Sequence, residues 1–383
     1  MPNKNLQAAK TAKNDEFYTQ YPDIQKEVNA YLEYNPDVFR DKIVLLPCDD
    51  PEWSNFTKFF AQNFENFGLR KLISTSYAIE SKKYKFDWQP TLFETENPNY
   101  DIDKSKIRGK IFTLTHDTNQ NGKIDINDLE WQYLDGDGDF RSPEVRALRD
   151  EADIIITNPP FSMFREFLAW IMEAEKQFLI IGNMNAITYK EVFPLIKGNK
   201  LWLGNGFNGG NAYFRIEGKT SADYANGVYD ENTGLVKFRN CCWYTNLDHG
   251  RRHQPMQLMT EAENIKFSKH KEVKGIGYHH YDNYDAIDIP YSDSIPSDYE
   301  GAMGVPISWL DKYCPEQFEI LGMCENEDLY QLKTKRYTTE ECKQAYFDKF
   351  GKKGTYDINA SGVLIVNNRK EKVYQRILIR KKQ

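Results

Sequence analysis

Asp153-Ile154-Ile155-Ile156-Thr157-Asn158-Pro159-Pro160-Phe161 decides how the rest of this chain is read. A short β-branched run ending in a rigid turn predicts a buried parallel strand whose carboxyl end opens onto a crevice. Two consecutive prolines fix φ and remove two backbone donors, so the carbonyls and the Asn158 amide remain as acceptors. Phe161 follows at once. Acceptors beside an aromatic face suit the exocyclic amine of a flat ring, with Phe161 stacked on the ring itself. On these four residues alone, a plain strand-terminating turn is the alternative.

Strands and helices alternate on either side of this corner. The spacing of apolar residues predicts a helix over 23–34, a strand over 42–47, and a helix over 54–64 with Ser54 as its N-cap. A second strand is expected at 71–76. Further on come a helix at 143–152 entered through Ser-Pro, the strand 153–157, a helix at 163–176, a strand at 177–182, a helix at 188–197 and a strand at 200–203. This alternation implies an α/β fold with a largely parallel sheet and right-handed crossovers. Ligands of such sheets sit outside the carboxyl ends of the strands, where both Pro47-Cys48-Asp49-Asp50-Pro51 and the Asn158 corner fall. Residues 78–135 are polar, aromatic and turn-rich, and read as an insertion. From about residue 205 the pattern changes to Gly, Asn, Tyr and short β-type runs, which suggests a separate recognition region over 205–383 beside a first domain over 1–204. Part of that region is expected to pack back on the first domain.

Composition narrows the class. The chain has 383 residues, 40% hydrophobic and 28% charged, as an ordinary globular protein does. No apolar run approaches the ~18 residues of a membrane span, and the polar start has no signal core, so a cytoplasmic location is expected. The six cysteines show no metal or disulfide spacing and read as reduced thiols. A net charge of −7 argues mildly against nucleic acid, yet basic residues cluster locally: Lys10 and Lys13 near the start, Arg251-Arg252-His253, and a lysine- and arginine-rich end. Such patches bind phosphates while acids elsewhere set the total, although solvated tails look the same.

One further motif stands inside the insertion. Asp117, Asn119, Asn121, Lys123 through its carbonyl, Asp125 and Asp128 fit the spacing of a calcium loop, with Gly122 at the sharp turn. One reading is a structural Ca2+ that stiffens the insertion. The opposing reading is a polar hairpin turn, because GKIFTLTH before it reads as a strand and Asp128 reaches less far than Glu.

Several stretches carry a family resemblance: KNDEFYTQ (13–20), CDDPEWSNF (48–56), GDGDFRS (136–142), DIIITNPPFSMFREF (153–167), FLIIGNMNAITYKEVFPLIK (178–197) and WLGN (202–205). WYTNLD (243–248), YDNYDAI (281–287) and GAMGVPISWL (301–310) continue it in order. The chain resembles the EcoRI-type adenine-specific DNA methyltransferases over most of its length. The resemblance implies a Rossmann-like sheet with helices on both faces, binding S-adenosyl-L-methionine, plus a loop-rich mixed α+β target-recognition region. It implies methylation of N6 of a flipped-out adenine within a restriction-modification or orphan modification system. Double-stranded DNA is then the expected partner and a monomer the expected state; a cognate restriction endonuclease encoded nearby, without direct contact, belongs to the restriction-modification case and is absent from the orphan one.

Site roles follow from the same resemblance. Asn158, Pro159, Pro160 and Phe161 are the catalytic corner. Phe17, Tyr18, Thr19 and Gln20 close over the methionine end of the cofactor. Cys48, Asp49 and Asp50 occupy the turn where relatives usually carry a glycine-rich loop, so carboxylates take the place of that fingerprint. Asp139 accepts from the cofactor's adenine amine while Phe140 packs on its face. Ser76 and Tyr77 lie where a ribose-binding acid normally stands, and no acid stands there. Asn205, Asn208, Arg251, Arg252 and His253 are the candidates for reading DNA, with Lys10 and Lys13 on phosphates. Methylation of RNA or of a protein glutamine amide stays open as an alternative, as does a calcium-stabilised DNA-binding module without turnover.

Overall fold

Branched aliphatic runs build the centre of the fold, because side chains stiff at χ1 suit a pleated surface covered on both faces. The computed structural model describes residues 18–50, 54–78, 95, 98–207, 211–215 and 221–382. It divides into two compact units, one ending at Gly250 and the other beginning at Arg251. The first unit opens with β1 (Tyr18–Thr19), α1 (Tyr21–Tyr34), β2 (Ile43–Leu46), α2 (Asn55–Gln62), α3 (Phe64–Phe67) and β3 (Lys71–Ser76). Next come α4 (Ile102–Ile107), β4 (Lys110–Leu114), β5 (Glu130–Tyr133), α5 (Pro143–Glu151), β6 (Ile154–Thr157), α6 (Phe164–Glu173) and β7 (Gln177–Asn183). It closes with α7 (Phe193–Lys197), β8 (Trp202–Leu203), β9 (Asn211–Arg215), β10 (Tyr229–Asp230), β11 (Leu235–Arg239) and β12 (Cys241–Thr245).

The main sheet has eight strands in the order β5-β4-β3-β2-β6-β7-β12-β8. Its centre is parallel: β3 and β6 flank β2, and β7 follows β6. All four residues of β2 and of β6 are buried, as a doubly covered parallel strand requires. From β2 the chain first turns to one side, to β3, and later returns to the other, to β6. In open sheets such a reversal of strand order marks the edge where ligands bind, here the carboxyl ends of β2 and β6. A smaller antiparallel sheet, in the order β1-β9-β11-β10, brings the N-terminal strand beside residues from much later in the chain.

Aromatic residues fill the core of this unit. Phe39, Phe59, Phe60 and Phe67 meet with ring centroids 5.4–5.9 Å apart. Much of the high aromatic content thus packs the interior, in edge-to-face and stacked pairs.

Three elements differ from expectation. Residues 110–133 do not stand outside the sheet; β4 and β5 form an antiparallel hairpin that extends it beyond β3. The helix expected over 188–197 is shortened to α7, with Pro194 in its first turn and a 3-10 stretch at Met184–Thr188 before it. The boundary between the two units falls at Gly250, later than the expected 204, so the described residues between 205 and 250 are the part of the later region that packs with the first unit. The cause is β12, whose five residues are all buried because it inserts antiparallel between β7 and β8.

The second unit holds α8 (Glu261–Phe267), β13 (Ala286–Asp288), β14 (Ala302–Pro306), β15 (Phe318–Met323), α9 (Thr339–Phe350), β16 (Val363–Val366), β17 (Arg369–Lys372) and β18 (Arg376–Lys381). Four strands form a sheet in the order β13-β14-β18-β15, and β16 pairs with β17. Arg376 and Asp288 form a buried ion pair at 2.9 Å inside it, joined by the Tyr281 hydroxyl at 2.5 Å. Among the described residues, no helix is long and apolar enough to cross a membrane.

Candidate active site

At the tip of β2, no glycine-rich loop is needed because hydroxyls brace the turn. Thr57 Oγ1 donates to the Asp49 carbonyl at 3.1 Å, and the Ser74 hydroxyl donates to the same oxygen. Thr75 Oγ1 donates to the Pro47 carbonyl at 2.9 Å, and the Asp49 amide donates to the Thr75 carbonyl at 3.0 Å. Four hydrogen bonds therefore fasten this turn to β3 and α2, where a helix N-cap and a strand end would otherwise leave polar groups unpaired.

The Asp49 side chain then spans the crevice. It is buried, accepts from Ser54 Oγ at 2.6 Å, and accepts from Thr157 Oγ1 at 2.6 Å. Ser54 caps α2 by accepting from the Phe56 amide. Thr157 is the last residue of β6 and precedes Asn158. One carboxylate thus ties the β2 turn, the start of α2 and the tip of β6 into a fixed geometry.

The Asn158 corner meets the N-terminal strand. Asn158 Nδ2 lies 3.4 Å from Thr19 Oγ1, a contact that orients the amide. Thr19 is buried, and its carbonyl accepts from Asn55 Nδ2 at 2.7 Å. The Gln20 side chain donates to the Tyr18 carbonyl at 3.2 Å. Both prolines are buried, while Asn158 and Phe161 are half-buried. The Pro160 carbonyl accepts from the Met163 amide at 2.9 Å, starting the short 3-10 turn Phe161–Met163. No backbone hydrogen bond among the described residues reaches the Pro159 carbonyl. Phe161 meets Phe214 of β9 and Phe238 of β11 edge-on, each at 6.4 Å.

The segment that leads to β9 is held by a residue the sequence did not single out. Glu27 on α1 is wholly buried and accepts from the Asn205 amide (2.8 Å), the Gly206 amide (2.9 Å) and the Tyr31 hydroxyl (2.8 Å). Burial pushes its carboxyl above the ordinary range, against the lowering effect of those donors. A Cβ at position 204 would overlap the carboxylate, which accounts for Gly204. Phe207 stacks on Trp243 at 5.4 Å just beyond. An acid at a buried position of a helical stripe, seven residues after Gln20, was the available signal, and its partners lie about 180 residues away.

The loop 136–140 lies against the carboxyl end of β3. Gly138 has φ +86°, and a Cβ there would strike the Ser76 carbonyl, so only glycine fits. The Ala78 amide donates to the Asp137 carbonyl at 2.8 Å. Ser76, Tyr77 and Asp139 are thereby brought to one edge. Phe140 is not presented there: its ring is fully buried against Phe167 (5.0 Å) and Trp170 (5.6 Å). The expectation that this ring packs on a cofactor is corrected accordingly; it anchors the loop. Asp139 forms a two-pronged ion pair with Arg141, at 2.9 and 2.7 Å.

Three other expectations meet the structure. The calcium reading is not supported. Asp128 instead accepts from the Thr118 amide and hydroxyl (both 2.9 Å), the Asn119 amide (3.2 Å) and the Asp125 amide (3.0 Å), while Asp117 accepts from Asn121 and Gly122. Asn121 accepts from Lys123, and Asn119 from Asn121, so the loop's oxygens close its own turn between β4 and β5. Among the described residues, no group of three or more His, Cys, Asp or Glu could hold a metal. The basic cluster is engaged within the second unit: Arg251 pairs with Asp311 at 2.5 Å, His253 with Glu316 at 2.8 Å, and Arg252 is buried. Phe17, Lys10, Lys13 and Asn208 lie outside the described residues. All six cysteines are free thiols, and burial pushes Cys241 up to about 12, so it is unreactive near neutrality.

Comparison with known proteins agrees with this geometry. A family model described as adenine-specific methyltransferase EcoRI matches residues 5–382. Type II methyltransferase M.EcoRI of Escherichia coli is 41% identical over 327 residues, covering 85% of this chain and 91% of that protein. Type II methyltransferase M.MpnI of Mycoplasma pneumoniae is 33% identical over 336 residues, covering 86% and 89% respectively. Type II methyltransferase M.MgeORF184P of Mycoplasma genitalium is 30% identical over 386 residues, covering 98% of each chain. No solved structure matches the chain. With its family model spanning nearly every residue and its switch-point corner intact, the chain belongs to the EcoRI family of adenine-specific methyltransferases.

Proposed function

We propose that this chain is a site-specific DNA methyltransferase that uses S-adenosyl-L-methionine to methylate adenine N6, as in a restriction-modification system. The observation that carries the reading is the Asn158-Pro159 corner, set at the strand reversal beside β2 and packed against Thr19 of the N-terminal strand. The sheet supports a Rossmann-like description. In its parallel centre the strand order reverses between β2 and β6, and in such folds nucleotides bind at the carboxyl ends beside that reversal. The first unit would carry the chemistry and the second unit the greater part of target recognition.

The residues at this edge fit the cofactor. Thr19, Gln20 and Asp50 supply hydroxyl, amide and carboxylate groups suited to an amino-acid end, and the Gly138 approach to Ser76 leaves backbone rather than side chain near Tyr77 and Asp139. When bound, S-adenosyl-L-methionine supplies a methyl carbon activated by its sulfonium.

The chain's own contribution is positioning. An adenine amine is a weak nucleophile because its lone pair is delocalised into the ring. The Asn158 side chain and the Pro159 carbonyl would accept its two N–H bonds, draw the lone pair onto nitrogen and aim it. Phe161, braced by Phe214 and Phe238, would stack on the extruded base and offset part of the few kcal/mol that unstacking costs. Orientation and fixed dipoles then do the work of a strong base, and the surplus proton leaves to solvent.

The test is Asn158→Ala, assayed on DNA followed by nucleoside mass spectrometry. Turnover should fall by about 10²–10³-fold or more while cofactor binding survives, since an oriented hydrogen-bond partner is lost. Near-normal turnover removes the role, and methylated RNA or glutamine in place of N6-methyladenine transfers the reading to another acceptor.

A further inference from the structure

The second unit carries an exposed aromatic patch ringed by lysines, which no part of the proposed chemistry uses. Phe347 and Phe350 on α9 are half exposed, and Tyr374 is 89% exposed. Helix α9 itself buries only Cys342 and Ala345. Around its C-terminal end, Tyr346, Phe350 and Tyr356 form a ring cluster with centroids 4.7–6.2 Å apart. Their exposed edges, with Lys349, Lys372 and Tyr374, line a recess of about 430 Å³. Leaving large rings in water forgoes about 1.5–3 kcal/mol per side chain, and a contiguous patch of this kind marks a surface that meets a partner.

Charge identifies the partner. Between Cys342 and Tyr356 stand four lysines (343, 349, 352 and 353) and a single acid, Asp348, in a chain whose net charge is −7. Lys349, Lys352 and Lys353 make no ion pair among the described residues. Asp348 accepts from Gln344 at 2.6 Å, and the Lys372 ammonium lies 2.9 Å from the Asp357 carbonyl, not on a carboxylate. A second copy of this chain would bring like charges together. Lysines are also depleted from the dry centres of protein interfaces. Interleaved lysines and aromatics instead match a nucleic-acid backbone, with ammonium groups on phosphates and rings on sugars or exposed base faces.

We infer that the α9–β17 face, centred on Lys349, Lys353, Phe350 and Tyr374, binds the phosphodiester backbone of the duplex DNA substrate. This rests on the reading of the chain as a DNA methyltransferase. It places the electrostatic contact here, not on Arg251 and His253, which pair with Asp311 and Glu316, or on Arg252, which is buried.

The test uses the full chain and mixed-sequence duplex DNA, with affinity measured by fluorescence anisotropy over a range of salt. Lys349→Glu with Lys353→Glu should weaken binding and flatten the log–log salt slope by about 0.9 for each lysine lost. Tyr374→Ala should weaken binding without changing that slope. Lys274→Glu, an exposed charge elsewhere in the unit, serves as the control and should alter the slope least. Methylation by these variants should show a raised KM for DNA with kcat kept at saturation. Unchanged affinity and slope in the double variant, or an equal effect from Lys274→Glu, overturns the inference. A wild-type chain that leaves DNA unmethylated sinks the functional reading instead, and the binding series distinguishes the two failures.

Discussion

Two buried acids, Asp49 and Asp128, sit in turns of the same unit and are satisfied in opposite ways. Asp128 draws its donors from the loop it belongs to: Thr118, Asn119 and Asp125, all within ten residues. Asp49 draws on Ser54 and on Thr157, the latter 108 residues away across the crevice. The first acid closes a hairpin; the second holds together the two strand tips between which the candidate site lies. A loop can be rich in recognisable acids and serve only its own turn, while the acid that joins the two strand tips shows its place in the sequence but not its partner, 108 residues away.

The largest effect expected from this contrast is at Asp49. Asp49→Ala would leave the Ser54 and Thr157 hydroxyls buried without their acceptor, at about 1–3 kcal/mol each. Unfolding in urea should therefore show a loss of about 3–5 kcal/mol, and any folded fraction should lose turnover as Asn158 shifts with Thr157. Asp49→Asn, which keeps the shape and one acceptor, should recover part of both. A destabilisation below about 1 kcal/mol would mean that the crevice is held elsewhere, and the comparison would fail.

Much of the scaffold was legible because its signals are local. Period and β-branching located β2, β3, β6 and β7, and Ser54 and Ser142 announced the starts of α2 and α5. The proline corner was legible for the same reason. Three things were not. The β4–β5 hairpin looked like an insertion because its strands are separated by a long polar turn, and nothing local says that it joins β3. The position of β12 depends on pairing with β7, which no window of sequence contains. Phe140 reads as a stacking residue beside Asp139, yet its fate was decided by Phe167 and Trp170 on α6, which bury it. Glu27 escaped notice because buried acids are rare and its amide partners follow Gly204 far along the chain.

At Asp128 the effect should be smaller and confined. Asp128→Ala removes the acceptor for four donors, but the loop is largely exposed and water can replace several of them, so about 1–2 kcal/mol is expected. Hydrogen exchange should accelerate between residues 117 and 128 while β2 and β6 stay protected. Burial alone would raise the Asp128 carboxyl, but the Asp125, Thr118 and Asn119 donors outweigh it and hold the group below its ordinary 3.8. Stability from this group is therefore present above that value and lost as pH falls through the depressed folded pKa. Loss of protection spreading into the central strands would show that the hairpin turn supports the site after all.

The smallest expected signal, and the one that separates local from distant satisfaction most cleanly, is the pH dependence set by Glu27. Its partners are as distant as those of Asp49, but burial outweighs its donors and the folded pKa is raised from the ordinary 4.5. The folded state then binds a proton more readily than the unfolded chain. Stability from this group is complete below about 4.5 and declines as pH rises through the raised folded pKa, the opposite sign to Asp128. Glu27→Gln cannot titrate, so the stability difference between wild type and variant should shift against the wild type as pH climbs from 4 toward neutrality. The variant also turns one acceptor into a donor facing the Asn205 or Gly206 amide, which lowers stability equally at every pH and so leaves the slope interpretable. If that slope is absent, or matches the sign at Asp128, then the three donors dominate over burial, and distance in sequence says nothing about how an acid in this fold is held.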